Sequence, residues 1–172
     1  MEELFDIFIS KIKEMKAEDF SILQVPTIVE TTPCFSILDE SFEQNSKTLI
    51  VVDEEDKYYG LISPKDLIVL FATLQTDITN VLSKAKVFSC TTARDLANQN
   101  LPIIVNNDKI SRVTECMIKY ESTVLPRAKT KDDPVEGLIS INDIILAVRN
   151  IWKEAIVDSK PLVLDLEREE DE

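Results

Sequence analysis

The spacing of apolar residues changes several times along the chain, and each change marks an element. Between residues 2 and 15, Leu4, Phe8, Ile12 and Met15 recur at three- and four-residue steps, the stripe of an amphipathic helix with one face to bury. Pro26 to Val29 and Pro102 to Val105 are short β-rich runs closed by polar residues, which predict strands. Phe35 to Phe42 and Ile110 to Ile118 return to helical spacing. Thr48 to Val52 and Tyr58 to Ile62 flank the acidic turn DEEDK and predict a hairpin, and a last helix is expected from Pro64 to Leu74. Its counterpart runs from Ile141 to Trp152, and a further helix is expected around Ile78 to Ala85.

These elements form an internal repeat. Gly60 opens GLISPKDLI and Gly137 opens GLISINDII, 77 residues apart. Upstream, KAEDFSILQVPTIV parallels TARDLANQNLPIIV, with Pro26 matching Pro102 at an offset of 76. The one extra residue fits the polar hairpin tip after Pro126, where a repeat tolerates insertion. The chain therefore divides into a helix over 1–15, a first repeat over 16–74, a linker over 75–91, a second repeat over 92–152 and an acidic tail over 153–172 ending in EREEDE. Both repeats are expected to be βαββα units of one α+β fold.

Composition narrows the function by exclusion. A chain of 172 residues, 44% of them apolar, can bury a core. Its net charge of −13 opposes binding to nucleic acid or anionic membranes, which relies on Lys and Arg. No apolar run approaches the ~20 residues of a membrane span, and the acidic start MEELFDIF is unlike a secretory signal, so a cytoplasmic location is expected. Cys34, Cys90 and Cys116 are odd in number and widely spaced, which fits packing thiols better than disulfides or a metal site. With no histidine and only two glycines, the chain can hold neither a His-based catalytic dyad nor a glycine-rich phosphate loop. No carboxylate pair stands apart from the solvated acidic face, and no catalytic activity is expected.

Ser63-Pro64-Lys65-Asp66 and Ser140-Ile141-Asn142-Asp143 each set a hydroxyl and a carboxylate three residues apart where a strand becomes a helix. Such a pair caps a helix, with Pro64 at a first position where its missing N–H costs nothing. The same geometry can clamp a ribose phosphate: the hydroxyl and helix N–H groups hold phosphate, and the carboxylate accepts the ribose hydroxyls. Both readings stand on the sequence alone.

The carriers VPTIV, LPIIV, LIVVDEEDKYYGLISPKDLI and VLPRAKTKDDPVEGLISINDII resemble the cystathionine-β-synthase (CBS) domain, and the pair resembles a Bateman module from about Lys16 to Arg149. The resemblance implies two βαββα units packed about a pseudo-two-fold axis, with two clefts for AMP, ADP, ATP or S-adenosylmethionine. It implies ribose contacts from Asp66 and Asp143, phosphate contacts from Ser63 and Ser140, and Leu61 and Leu138 against the base. Pro26 and Thr27 would stand opposite Asp143, and Pro102 and Ile103 opposite Asp66. Lys65 and Arg127 are nearby cations able to neutralise phosphate.

The chain departs from the family's second-strand pattern at Pro126-Arg127-Ala128-Lys129, so Arg127 either points into a cleft or lies on an exposed edge. The acidity of the chain disfavours di- and triphosphates relative to a monophosphate or S-adenosylmethionine. The resemblance implies a regulatory sensor and a homodimer, joined through the Leu4–Met15 stripe or the helix Leu67–Leu74, with an unidentified protein partner. A structural interaction module, in which both motifs only cap helices, is the alternative.

Overall fold

Leu49–Val52 is apolar at every position, as a strand covered on both faces must be, and all four side chains are buried. In the computed structural model, which describes residues 2–43, 48–75 and 91–169, this segment is β2, the middle strand of a sheet ordered β1-β2-β3. Its neighbours are β1 (Thr27–Val29), parallel to it, and β3 (Tyr58–Ile62), antiparallel. The hairpin between β2 and β3 closes on Asp53, whose Oδ1 accepts from the N–H groups of Glu55 and Lys57, both at 2.9 Å.

The second half repeats the plan. β4 (Ile104–Val105) runs parallel to β5 (Val124–Ala128), which pairs antiparallel with β6 (Val135–Ser140). Five residues separate β2 from β3 and six separate β5 from β6, which places the extra residue of the repeat in the hairpin tip. The helices are α1 (Glu2–Glu14), α2 (Cys34–Glu43), α3 (Pro64–Gln75), α4 (Ala93–Leu96), α5 (Ile110–Lys119) and α6 (Ile141–Glu169), with a 3-10 turn at Ala17–Asp19.

The core lies in two clusters. Leu49 and Val51 meet Ile37 of α2, with Ile28, Ile62 and Ala93. Ile50 and Val52, on the opposite face of β2, join Leu61, Ile104, Leu125 and Leu138 in a larger cluster shared by both units. The α1 stripe is buried by the chain's own core: Met15 lies in that cluster, Ile12 packs against it, and Phe8 meets Trp152 of α6 edge to face at 5.1 Å.

The units exchange edges. The segment before β1 bonds to β6, with Leu23 N–H on the Leu138 carbonyl at 2.8 Å and the reverse bond at 3.0 Å. The segment before β4 bonds to β3 through Asn98 and Leu61, at 2.8 and 3.2 Å. This exchange explains the two glycines. A Cβ on Gly60 would stand 2.9 Å from the Asn98 carbonyl oxygen, and one on Gly137 would stand 2.8 Å from that of Leu23.

Two expectations need correction. The chain does not leave its helix at Trp152 for a tail: α6 continues through Pro161 to Glu169. Proline fits helical φ and removes one hydrogen bond, which a long helix can absorb. Arg127 is neither on an exposed edge nor free in a cleft. It sits on the middle strand with only 7% of its surface exposed, held by backbone carbonyls. The linker helix expected at 78–85, and Cys90, lie outside the described residues.

Candidate functional site

Each Ser-x-x-Asp motif stands where an edge strand hands over to a helix, β3 to α3 and β6 to α6. The strand ends because the serine caps the next helix. Ser63 donates to Asp66 Oδ2 through its hydroxyl at 2.6 Å and its N–H at 2.7 Å. Ser140 donates to Asp143 Oδ2 at 2.6 and 3.1 Å, and Asp143 N–H returns a bond to the Ser140 hydroxyl at 3.2 Å. All four side chains are half-buried. Each carboxylate uses Oδ2 for the cap, and Oδ1 takes no hydrogen bond among the described residues, leaving lone pairs for another donor.

The same hydroxyl–carboxylate pairing recurs elsewhere, at the start of α4 and in the hairpin turn between β5 and β6. Thr92 with Asp95 makes bonds of 2.8 and 3.0 Å, and Thr130 with Asp133 makes bonds of 3.0 and 2.8 Å. Both pairs are legible in the sequence as Thr-x-x-Asp. What distinguishes Ser63–Asp66 and Ser140–Asp143 is their position after a crossed strand, three residues past a glycine.

Leu61 and Leu138 are fully buried in the shared core, and their backbone groups are taken by the crossing segments. Pro26 is half-buried and Thr27 exposed. They follow the segment that crosses β6, whose Gln24 amide donates to the Glu136 carbonyl, so they lie toward the Glu136 end of β6, while Ser140 and Asp143 stand at the other end. Pro102 and Ile103 are half-buried. Ile103 lines a cavity of about 550 Å³ with Tyr58, between the turn Glu55–Lys57 and the turn Lys131–Pro134. Neither Ser63 nor Asp66 lines that cavity. Lys65 is exposed in the first turn of α3.

Arg127 Nη1 donates to the carbonyls of Ala17 and Phe20 at 2.8 and 3.0 Å, and Nη2 stands 4.0 Å from Glu136. It therefore binds the 3-10 turn to the second sheet, a role that a lone Arg in an apolar strand did not announce. Sequence reasoning also missed Glu30. Its buried carboxylate accepts two bonds from Arg94, at 2.7 and 2.9 Å. Burial drives the Tyr58 phenol well above its ordinary range, and its hydroxyl has no partner among the described residues. Among the described residues no cluster of His, Cys, Asp or Glu could hold a metal, and no helix is long and apolar enough to cross a membrane.

Residues 17–73 match the CBS domain family. Among solved structures, the CBS domain of a CBS domain containing membrane protein from Sphaerobacter thermophilus superposes with a TM-score of 0.64 at 14% identity, over 84% of this chain and 94% of that one. CBSX2 in complex with AMP gives a TM-score of 0.60 at 18% identity, over 79% and 97% of the two chains. A CBS domain pair solved with 5′-methylthioadenosine and S-adenosyl-L-methionine gives the same score, identity and coverage. No curated relative matches the sequence. The family match thus falls on the first unit, and the fold of the two units together is that of solved CBS-domain pairs.

Proposed function

We propose that this chain is a regulatory module without catalytic activity that senses an adenosine-containing ligand in the clefts beside Ser63–Asp66 and Ser140–Asp143. The observation that carries the reading is the doubled motif: each Asp has one oxygen fixed by its serine and the other available to ribose hydroxyls. The serines and the N-termini of α3 and α6 would take the phosphate, with Lys65 beside the first. Proteins of the same fold solved with AMP, 5′-methylthioadenosine or S-adenosyl-L-methionine support the ligand class. The net charge of −13 favours AMP or S-adenosylmethionine over ADP or ATP.

In this reading the module works as a cytoplasmic homodimer. Ile68 and Ile145 occupy equivalent positions on α3 and α6 and are 65% and 59% exposed, as seam residues would be. Ligand would act by its differential affinity for two dimer geometries, relayed to a protein partner.

A second reading has its own observation. Thr92–Asp95, which caps α4, and Thr130–Asp133, which closes a hairpin turn, make the same pairing away from both motifs, so all four pairs could be structural and the chain an interaction module. Calorimetry with AMP, ATP and S-adenosylmethionine separates the two. The sensor reading expects saturable heat, with Asp66→Asn and Asp143→Asn each removing one site. The capping reading expects no heat, and a loss of about 0.5–2 kcal/mol of stability from each variant.

A further inference from the structure

A groove of about 540 Å³ lies between α1, α5 and α6, away from both motifs: none of Ser63, Asp66, Ser140 and Asp143 lines it. Its floor is apolar, made by Ile12, Ile110, Ile144 and Val148. Its rim carries Lys13 and Lys109, and no carboxylate lines it. Neither lysine has an ion-pair partner among the described residues. Asp108, next to Lys109, is engaged by Arg112 at 3.2 Å and by Val105 N–H at 2.9 Å. Lys109 is the N-cap of α5, a ten-residue helix without a side-chain cap; its first N–H is taken by the Met15 carbonyl at 3.0 Å, and the helix dipole adds some partial positive charge on the same side. On a chain of net charge −13, two unpaired cations over an apolar floor complement one kind of guest.

We propose that this groove binds a free amphiphile with a single anionic head and a short hydrocarbon tail, the tail over the isoleucines and the head between Lys13 and Lys109. The volume suits a small molecule. A polyacidic peptide or an anionic membrane would bring many charges against the acidic surface, whereas a monoanion meets that repulsion once.

The test is calorimetry of the full chain, without nucleotide, using decanoate below its micelle concentration, with decanol and inorganic phosphate as probes of tail and head alone. Decanoate is expected to saturate at one per chain, with each half-probe at least about tenfold weaker. Lys13→Gln with Lys109→Gln should weaken decanoate about tenfold, the worth of two partly exposed ion pairs. Ser111→Phe, from an exposed position on the groove, should block it while circular dichroism stays unchanged. Equal decanoate affinity in all variants, or no heat with decanoate, overturns the proposal. So does preferential binding of a peptide of residues 162–172 or of phosphatidylglycerol vesicles. Because no nucleotide is present, these outcomes leave the sensor reading untouched.

Discussion

Glu30 and Arg94, 64 residues apart, form a two-pronged ion pair that ties the end of β1 in the first unit to α4 in the second. The carboxylate side chain is 8% exposed and the guanidinium 59%, so Glu30 depends on Arg94 more than the reverse. The repeat places Asn106 and Glu18 at the equivalent positions, where only a backbone bond of 3.1 Å remains. Arg94→Met strands a buried charge and should lower the melting temperature. Adding Glu30→Gln should recover most of the loss, because the remaining group is uncharged. Thermal unfolding of wild type, single and double variants reads the coupling: an Arg94→Met midpoint equal to wild type would mean the pair contributes nothing, and a double variant no more stable than Arg94→Met would mean the stranded charge is not the cause of the loss.

The crossing glycines should tolerate no side chain. Gly60→Ala would press its methyl against the Asn98 carbonyl, and overpacking of this kind costs about 1–3 kcal/mol. Gly137→Ala should cost more, since that residue also holds a φ of +155°. Urea midpoints at constant slope check the order; a neutral Gly137→Ala would contradict the crossing geometry.

Arg127→Met should free the Phe20 carbonyl from its donor and leave the Ala17 carbonyl with the Phe20 N–H alone. A buried acceptor left unsatisfied costs about 1–3 kcal/mol, so global stability should fall by roughly that amount. The distinguishing signal is local: hydrogen exchange at residues 15–20 should quicken more than at β2, and a uniform change would argue against the staple.

Tyr58 predicts an alkaline sensitivity. Its phenol is held neutral by burial in the folded chain, while in the unfolded chain it ionises near pH 10. The stability it contributes is complete below that value and is lost as pH rises above it, because only the unfolded state gains the charge. Tyr58→Phe should flatten stability above pH 10 and leave it unchanged or improved at pH 7, where an unpaired buried hydroxyl disappears. Parallel alkaline profiles for the two proteins would refute this.

Most of the architecture was legible because period and repetition report burial directly. The strand at Leu49–Val52, the helix at Ile110 and the inserted hairpin residue all follow from spacing. The α6 extension was not legible, because Pro161 reads as a break and its tolerance depends on context. Arg127 was misread for a similar reason. A charge in a central strand is admissible only when distant carbonyls meet it, and Ala17 lies 110 residues away. The candidate site was half legible: the serines and acids form the predicted pairs, while the crossing of Leu23 over Leu138 needed the fold. Thr92–Asp95 and Thr130–Asp133 were in plain sight, and they make the motif less distinctive than two copies suggest.

The traded edges also constrain how the molecule is made. During synthesis the free side of β3 stays uncovered until Asn98 has left the ribosome, and the segment around Leu23 has no seat until β6 follows it. The amino-terminal half thus waits, open-edged, for the carboxy-terminal half, and maturation becomes one late event instead of two successive ones.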